Sequence, residues 1–201
     1  MYILFKDHDK NDGFNPKIFI NILKTIQQIV NFSVIFAVKM YLYMTIIVNL
    51  GIVLLTIAAM EFVAWSAHKF LMHGPLWSWH EDHHKPHFEK TGFFEKNDRF
   101  FLVFAIPSAA SFIVGTLYQP LSWLFYVGVG IAIYGLIYFL IHDVYIHQRF
   151  KWFRQLDSKY SRAILRAHGA HHAKNTKEDC ESFGLLVVNQ KYYKKNSQVE
   201  A

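Results

Sequence analysis

Residues 100–141, FFLVFAIPSAASFIVGTLYQPLSWLFYVGVGIAIYGLIYFLI, run for 42 positions without an Asp, Glu, Lys, Arg or His. A helix crossing the ~30 Å hydrocarbon core of a bilayer takes about 20 residues, so the run is two spans long. Tyr118-Gln119-Pro120 near its middle supplies the turn, because Pro and polar residues break an apolar helix. A second uncharged run, residues 40–60, passes over Glu61 and continues through Phe62-Val63-Ala64-Trp65 to His68 as a third span. The pattern predicts an all-α integral membrane protein, a bundle of three transmembrane helices, or four if residues 17–39 also cross.

Composition points the same way. The chain has 201 residues, 53% of them hydrophobic and only 18% charged, which excludes intrinsic disorder and exceeds what one small soluble domain hides from water. The net charge of +6 would suggest nucleic acid in a soluble protein, but no aromatic and basic residues interleave and no nucleic-acid motif accompanies the charge. Eleven of the 21 basic residues follow Asp143, five lie between Ala67 and Arg99, and the turn at Tyr118 to Pro120 has none. This is juxtamembrane positive-inside bias, which assigns the 67–99 loop and the C-terminal segment to the cytoplasmic face of a multi-pass protein. The single cysteine, Cys180, has no intramolecular disulfide partner, and the charged first 16 residues do not read as a cleavable signal peptide. Residues 17–39 carry Lys24, Gln27, Gln28 and Asn31 at roughly helical spacing and read as an interfacial amphipathic helix.

Ten of the twelve histidines fall into four groups: His68 and His73 in HKFLMH; His80, His83 and His84 in HEDHH; His142 and His147 in HDVYIH; His168, His171 and His172 in HGAHH. The order HxxxxH, HxxHH, HxxxxH, HxxHH is an internal repeat, each half starting where an apolar span ends. On a helix, positions i, i+3 and i+4 project within a roughly 100° arc, so each HxxHH offers three imidazoles from one face. The two residues of HxxxxH would be roughly 140° apart on an α-helix, so each pair is expected to straddle a helix end or serve two metals. Gly74-Pro75 directly after His73 supports a break there. Imidazole binds metals uncharged through one nitrogen while the other is held by a hydrogen bond. Ten such groups are too many for one ion and fit two, without choosing among Zn, Cu, Ni and Fe. His8 and His87 stand outside the pattern.

Three carboxylates are candidates for a supporting role. Asp143 and Glu81 each adjoin a histidine of the set, where they could accept a ring N–H or offset metal charge. Glu61 is an ionisable residue inside a span, seven residues before His68 on the same helical face. It could order water, move protons, contact substrate, or hydrogen-bond a neighbouring span. Trp65, Trp77, Trp79 and Trp123 read as interfacial belt residues, and Phe94-Glu95 with Asn97-Asp98 as a cap for a helix beginning at Asp98 or Arg99.

The segments MEFVAWSAHKFLMHG, WSWHEDHHKP, FFEKND, YGLIYFLIHDVYIHQRF and AHGAHHAKNTKEDCESFG closely resemble the β-carotene 3-hydroxylases, a branch of the membrane-bound fatty acid hydroxylase superfamily. The resemblance covers residues 44–188, leaving residues 1–43 as an N-terminal extension and 189–201 as a polar tail. It implies a non-haem di-iron monooxygenase that hydroxylates a carotenoid ring with O2, using two iron ions and electrons from a ferredoxin-type donor. All ten grouped histidines fall on motif positions, so the resemblance implies them as iron ligands, with no further side chain needed as acid or base. The rival readings are a related oxygenase acting on a sterol or fatty acyl chain, or making a ring ketone, and, in a different class, a metal transporter or store. Transport sites usually lie near the membrane midplane, whereas these histidines sit at span ends.

Overall fold

The computed structural model describes residues 15–85, 93–152 and 156–194. His8 and His87 lie outside them. The described residues are all-helical, and the chain forms two compact units, Met1–Ile47 and Val48–Ala201.

Helix α1, Pro16–Ser66, starts with Pro as its first helical residue, and the Asn15 side chain accepts from the backbone N–H of Lys17 at 3.0 Å. It is continuous through residues 17–39, so that segment is not a helix of its own. α1 passes directly into a π-helical stretch, Ala67–Met72, and a four-residue helix α2, Trp77–His80, follows the turn at Gly74-Pro75. A 3-10 turn, Lys96–Arg99, leads into α3, Phe100–Leu117. Tyr118 breaks α3, a 3-10 turn at Gln119–Leu121 reverses the chain, and α4, Trp123–Tyr138, returns. α4 too becomes a π-helix, Phe139–Ile146. Helix α5, Lys159–His172, is capped by Ser158, whose side chain accepts from Ser161 N–H.

Among the described residues, three helical stretches are long and apolar enough to cross a membrane: Pro16–Met72, Lys96–Leu117 and Trp123–Ile146. Their outward faces are hydrocarbon, with Leu55, Phe62, Phe101 and Leu117 between 67% and 79% exposed. In water such a surface would be costly; against lipid tails it is matched.

Within the second unit small residues set the spacing. A Cβ on Gly115 would stand 2.2 Å from the Phe125 backbone nitrogen, and Ser108 Oγ donates to Gly128 O at 3.0 Å, so α3 and α4 pack as a tight antiparallel hairpin. A Cβ on Gly130 would lie 2.5 Å from Thr56 Cβ, which brings α4 against α1. Thr56 and Gly130 each stand 12 residues before the first histidine of their own helix, His68 and His142, so α1 and α4 run parallel here. Met60, Ala64 and Tyr134 form the core one to two turns further on. The result delivers both π-helical ends, each carrying an HxxxxH pair, to one end of this unit.

Candidate metal centre

The π geometry solves the problem that HxxxxH poses. In each stretch the hydrogen bond spans five residues, His73 N–H to His68 O at 3.0 Å and His147 N–H to His142 O at 2.9 Å. Residues i and i+5 then face the same way, as they do not on an α-helix. Both pairs also end their helices, since His73 and His147 are the C-caps. Each pair therefore serves one location: His68 and His73 join His80, His84 and His171, while His142 and His147 join His83 and His168. The HxxHH triads are what divide between the two locations. α2 stops at His80, leaving His83 and His84 in the following turn, and these point to different clusters. On α5, His171 enters the first cluster and His168 the second.

His172 belongs to neither tight cluster but stacks between them, its ring 4.5 Å from His84 and 4.4 Å from His168. Eight of the ten rings are buried, with His147 and His172 half-buried.

Hydrogen bonds fix which nitrogen points inward. Nδ1–H donates to a carbonyl oxygen in His68 (Phe183, 3.0 Å), His73 (Lys177, 3.2 Å), His84 (Lys174, 2.9 Å) and His171 (Glu181, 2.9 Å). His80 donates to Asn97 Oδ1 at 2.7 Å, His83 to Glu95 Oε2 at 2.7 Å, and His142 to Asp143 Oδ2 at 3.3 Å. With the proton on Nδ1, Nε2 presents a lone pair. Those lone pairs converge: Nε2 to Nε2 is 3.1 Å for His68 and His80, 3.2 Å for His73 and His171, 3.2 Å for His84 and His80, and 3.1 Å for His83 and His142. His147 and His168 approach to 2.8 Å.

Two bare lone pairs facing at that range repel, whereas a shared cation turns both into ligands. Nitrogens each about 2.1 Å from one ion are about 3.0 Å apart when adjacent at right angles. The Nε2 of His172 is likewise buried without a hydrogen-bond partner. The residues present fit a metal site. Burial, first, and neighbouring imidazoles hold the pKa of His83, His168 and His172 well below the usual histidine value. Burial also lowers His73, pulls His80 down to about 2 despite its bond to Asn97, and pulls His171 down to about 3. Neutral imidazoles are what metal ligation requires.

The segment after α5 covers the first cluster. Besides its four carbonyls, it contributes Phe183, whose ring lies 5.1 to 5.5 Å from the rings of His68, His73 and His171. Trp77 stands 5.1 Å from His73 and 5.3 Å from His84, so it walls the histidines as well as lying near a span end. Glu61 ties this segment to α1. Its Oε1 accepts from the backbone N–H of Leu185, Leu186 and Val187 at 2.8 to 3.1 Å, and its Oε2 accepts from Tyr134 O–H at 2.8 Å. Of the functions open to Glu61 in the sequence, the structure displays the hydrogen bond between segments.

Asp143 stands on His142 and is itself held by Arg149 at 2.8 Å. Glu81 pairs instead with Lys96 at 3.7 Å, its side chain 39% exposed. The partners that sequence reasoning missed are Glu95 and Asn97. Their segment does act as a cap, with Glu95 N–H donating to Asp98 Oδ2 at 3.1 Å, and the same turn aims Glu95 and Asn97 at His83 and His80.

A membrane-associated helical scaffold bearing two adjacent all-histidine clusters is thus the class of protein defined here. The chain belongs to the fatty acid hydroxylase family, whose profile matches residues 53–189 and so contains all ten histidines. The family is one of oxygenases acting on lipids. Curated relatives include the "Beta-carotene hydroxylase" of Paracoccus sp. (strain N81106 / MBIC 01143), 42% identical over 70% of this chain and 84% of its own. The "Beta-carotene hydroxylase" of Pantoea ananas is 43% identical over 70% of this chain and 77% of its own. The chloroplastic "Beta-carotene 3-hydroxylase" of Gentiana lutea is 39% identical over 57% of this chain and 35% of its own. No solved structure matches.

Proposed function

We propose that the protein is a non-haem di-iron monooxygenase that hydroxylates the β-ionone rings of β-carotene at C3, giving β-cryptoxanthin and then zeaxanthin. The observation that carries this reading is the convergence of nine histidines on two adjacent points, with His172 stacked between them, in a chain that relatives named beta-carotene hydroxylase match at about 42% identity. His68, His73, His80, His84 and His171 would hold one ion, and His83, His142, His147 and His168 the other, with His172 as a fifth ligand to the second. Bound iron would supply O2 activation and the oxidising power to break an unactivated ring C–H bond.

Each ring hydroxylation consumes one O2, two electrons and two protons, and yields one C–OH and one water. The chain's own work is orientation and shielding. Phe183 and Trp77 close apolar walls over the first cluster, which limits water and wasteful quenching. The Nδ1 acceptors lock the rings of His68, His73, His80, His83, His84, His142 and His171, so that most of the ligand cage does not reorganise during turnover. No protein acid or base is assigned.

The substrate is extended and almost wholly apolar, so it enters from the bilayer between the spans and brings one ring to the histidine end. The basic loops support a cytoplasmic position for that end, in a multi-pass protein. Lys and Arg after Asp143 would attract an acidic ferredoxin-type donor, and donor-limited turnover should fall as salt rises.

Pigment analysis of β-carotene-producing bacterial cells expressing this chain tests the function. Mono- and dihydroxylated carotenoid is expected with the intact chain and not with His171→Ala. Unchanged β-carotene from iron-loaded, membrane-located protein supplied with reductant would redirect the reading to a sterol or fatty acyl substrate.

A further inference from the structure

Beside the first cluster lies a cavity of about 630 Å3, within the range of about 300–1,000 Å3 that small-molecule sites ordinarily occupy. Ala58, Glu61, Phe62 and Trp65 of α1 form one wall, and the segment after α5 forms the other, with Phe183 and Val187 in it. Phe62 is 67% exposed and Val187 76%, so both stand at an open rim, and on α1 that rim belongs to the outward, hydrocarbon face of a span. Among the described residues that line the cavity there is no histidine. Phe183 is the partition. Its ring lines the cavity and also lies 5.1 to 5.5 Å from the rings of His68, His73 and His171, so a molecule in the cavity is one phenyl ring away from the first cluster.

The charged groups around this space are committed to partners within the protein. Glu61 accepts from three backbone N–H groups and from Tyr134 O–H, and Glu181 accepts from Lys191 Nζ and Tyr192 O–H. A polar ligand would have to displace those partners, whereas a hydrocarbon leaves them in place. Phe62 and Trp65 stack at 5.8 Å and 27°, so the α1 wall offers flat aromatic surface. A flat, rigid hydrocarbon loses less freedom on such a surface than a flexible acyl chain, each of whose rotors costs free energy to fix.

We infer that this cavity is the seat of one end ring of the carotenoid, which is held against Trp65 and Phe183 beside the first cluster while the polyene leaves over the rim at Phe62 into the bilayer. The seat presupposes the carotenoid substrate proposed above and gives it a place in the chain.

The test measures binding, not turnover. Full-length protein with its metal is held in detergent under anaerobic conditions and titrated with β-carotene, which is achiral and acquires visible circular dichroism only where a protein site holds it in one twist. A saturable signal at one β-carotene per chain is expected. Ala58→Trp and Val187→Trp fill the cavity from opposite walls, and each should weaken binding by at least about 10-fold. Metal content at the level of the unaltered protein shows that each variant is folded at the histidine end. Leu55→Trp, on the same helix but outside the lining, should bind as the unaltered protein does. A saturable signal that neither filling variant weakens would overturn the seat and leave the carotenoid substrate standing. No signal from metal-loaded protein would overturn the carotenoid reading, and the seat with it.

Discussion

His172 shows at single-residue scale why the centre needs ions. Its Nε2 is buried with no hydrogen-bond partner while its ring touches members of both clusters. An unpaired buried acceptor costs about 1–3 kcal/mol, and metal ligation would remove that cost. His172→Ala should therefore leave four histidines at the second position, weaken retention of its ion and lower hydroxylation, measured by metal analysis beside pigment analysis.

The metal-free protein should be acid-sensitive. His80 and His171 are depressed to about 2 and about 3 in the folded chain, chiefly by burial, against an ordinary value of 6.5. Below pH 6.5 the unfolded chain takes up protons that the folded chain refuses, so stability present above 6.5 is lost progressively as pH falls toward 3. The slope is up to about 1.4 kcal/mol per pH unit for each such histidine. Thermal unfolding of chelated protein from pH 8 to 5 would show it as a falling midpoint; a flat profile would contradict the buried, neutral cage.

The ten histidines were legible because their spacing repeats, and Asp143 because it adjoins one. Glu95 and Asn97 were legible only as a helix cap, since nothing in the sequence says that the turn also faces His80 and His83. The carbonyls of Lys174, Lys177, Glu181 and Phe183 left no trace at all, because any residue supplies one.

Among the elements, the π-helical ends carry the geometry. Apolar run lengths gave the spans and Tyr118 to Pro120 their turn, but hydrophobic periodicity does not distinguish a helix that continues as α from one that widens to π. The spacing of five between His68 and His73 was part of the signal: on an α-helix the pair diverges, which left a helix end or service to two metals, and the pair does end its helix but serves one cluster, because the helix widens to π, a change the spacing did not announce. Gly74 closes the first π turn, and a Cβ there would sit 2.2 Å from the Phe70 carbonyl oxygen, a backbone atom with no room to yield. Gly74→Ala should cost about 1–3 kcal/mol and reduce metal retention by the first cluster, measurable by thermal unfolding and cobalt release.

The segment after α5 is the second element the sequence hid. Glu61→Leu would strip the acceptor from three backbone N–H groups and cost at least about 2 kcal/mol, loosening the carbonyls that hold the first cluster. Glu61→Gln keeps an oxygen for the segment and an amide for Tyr134, and should preserve most of both stability and metal. Equal loss in the two variants would show that the charge of Glu61, and not its geometry, is what the fold uses.

For the molecule as a whole, the repeat of span and histidine motif becomes a physical repeat. Two parallel helices, α1 and α4, contact at Thr56 and Gly130 and end in matching π turns, and α2 with the turn after it, together with α5, returns histidines to both clusters. Lipid-facing hydrocarbon leaves only a modest apolar core, so the ions should act as structural staples for the histidine end. Chelation of the purified protein should lower its unfolding midpoint by several degrees and restore it on adding Fe2+ under anaerobic conditions.

The most direct measurement is the iron content of freshly purified protein, by elemental analysis and Mössbauer spectroscopy on 57Fe-grown cells. Two non-haem irons per chain, falling in His171→Ala and coupled to hydroxylated carotenoid in the same membranes, is the result expected. One iron, none, or loosely held zinc in protein that still hydroxylates would contradict a di-iron centre built from these ten histidines.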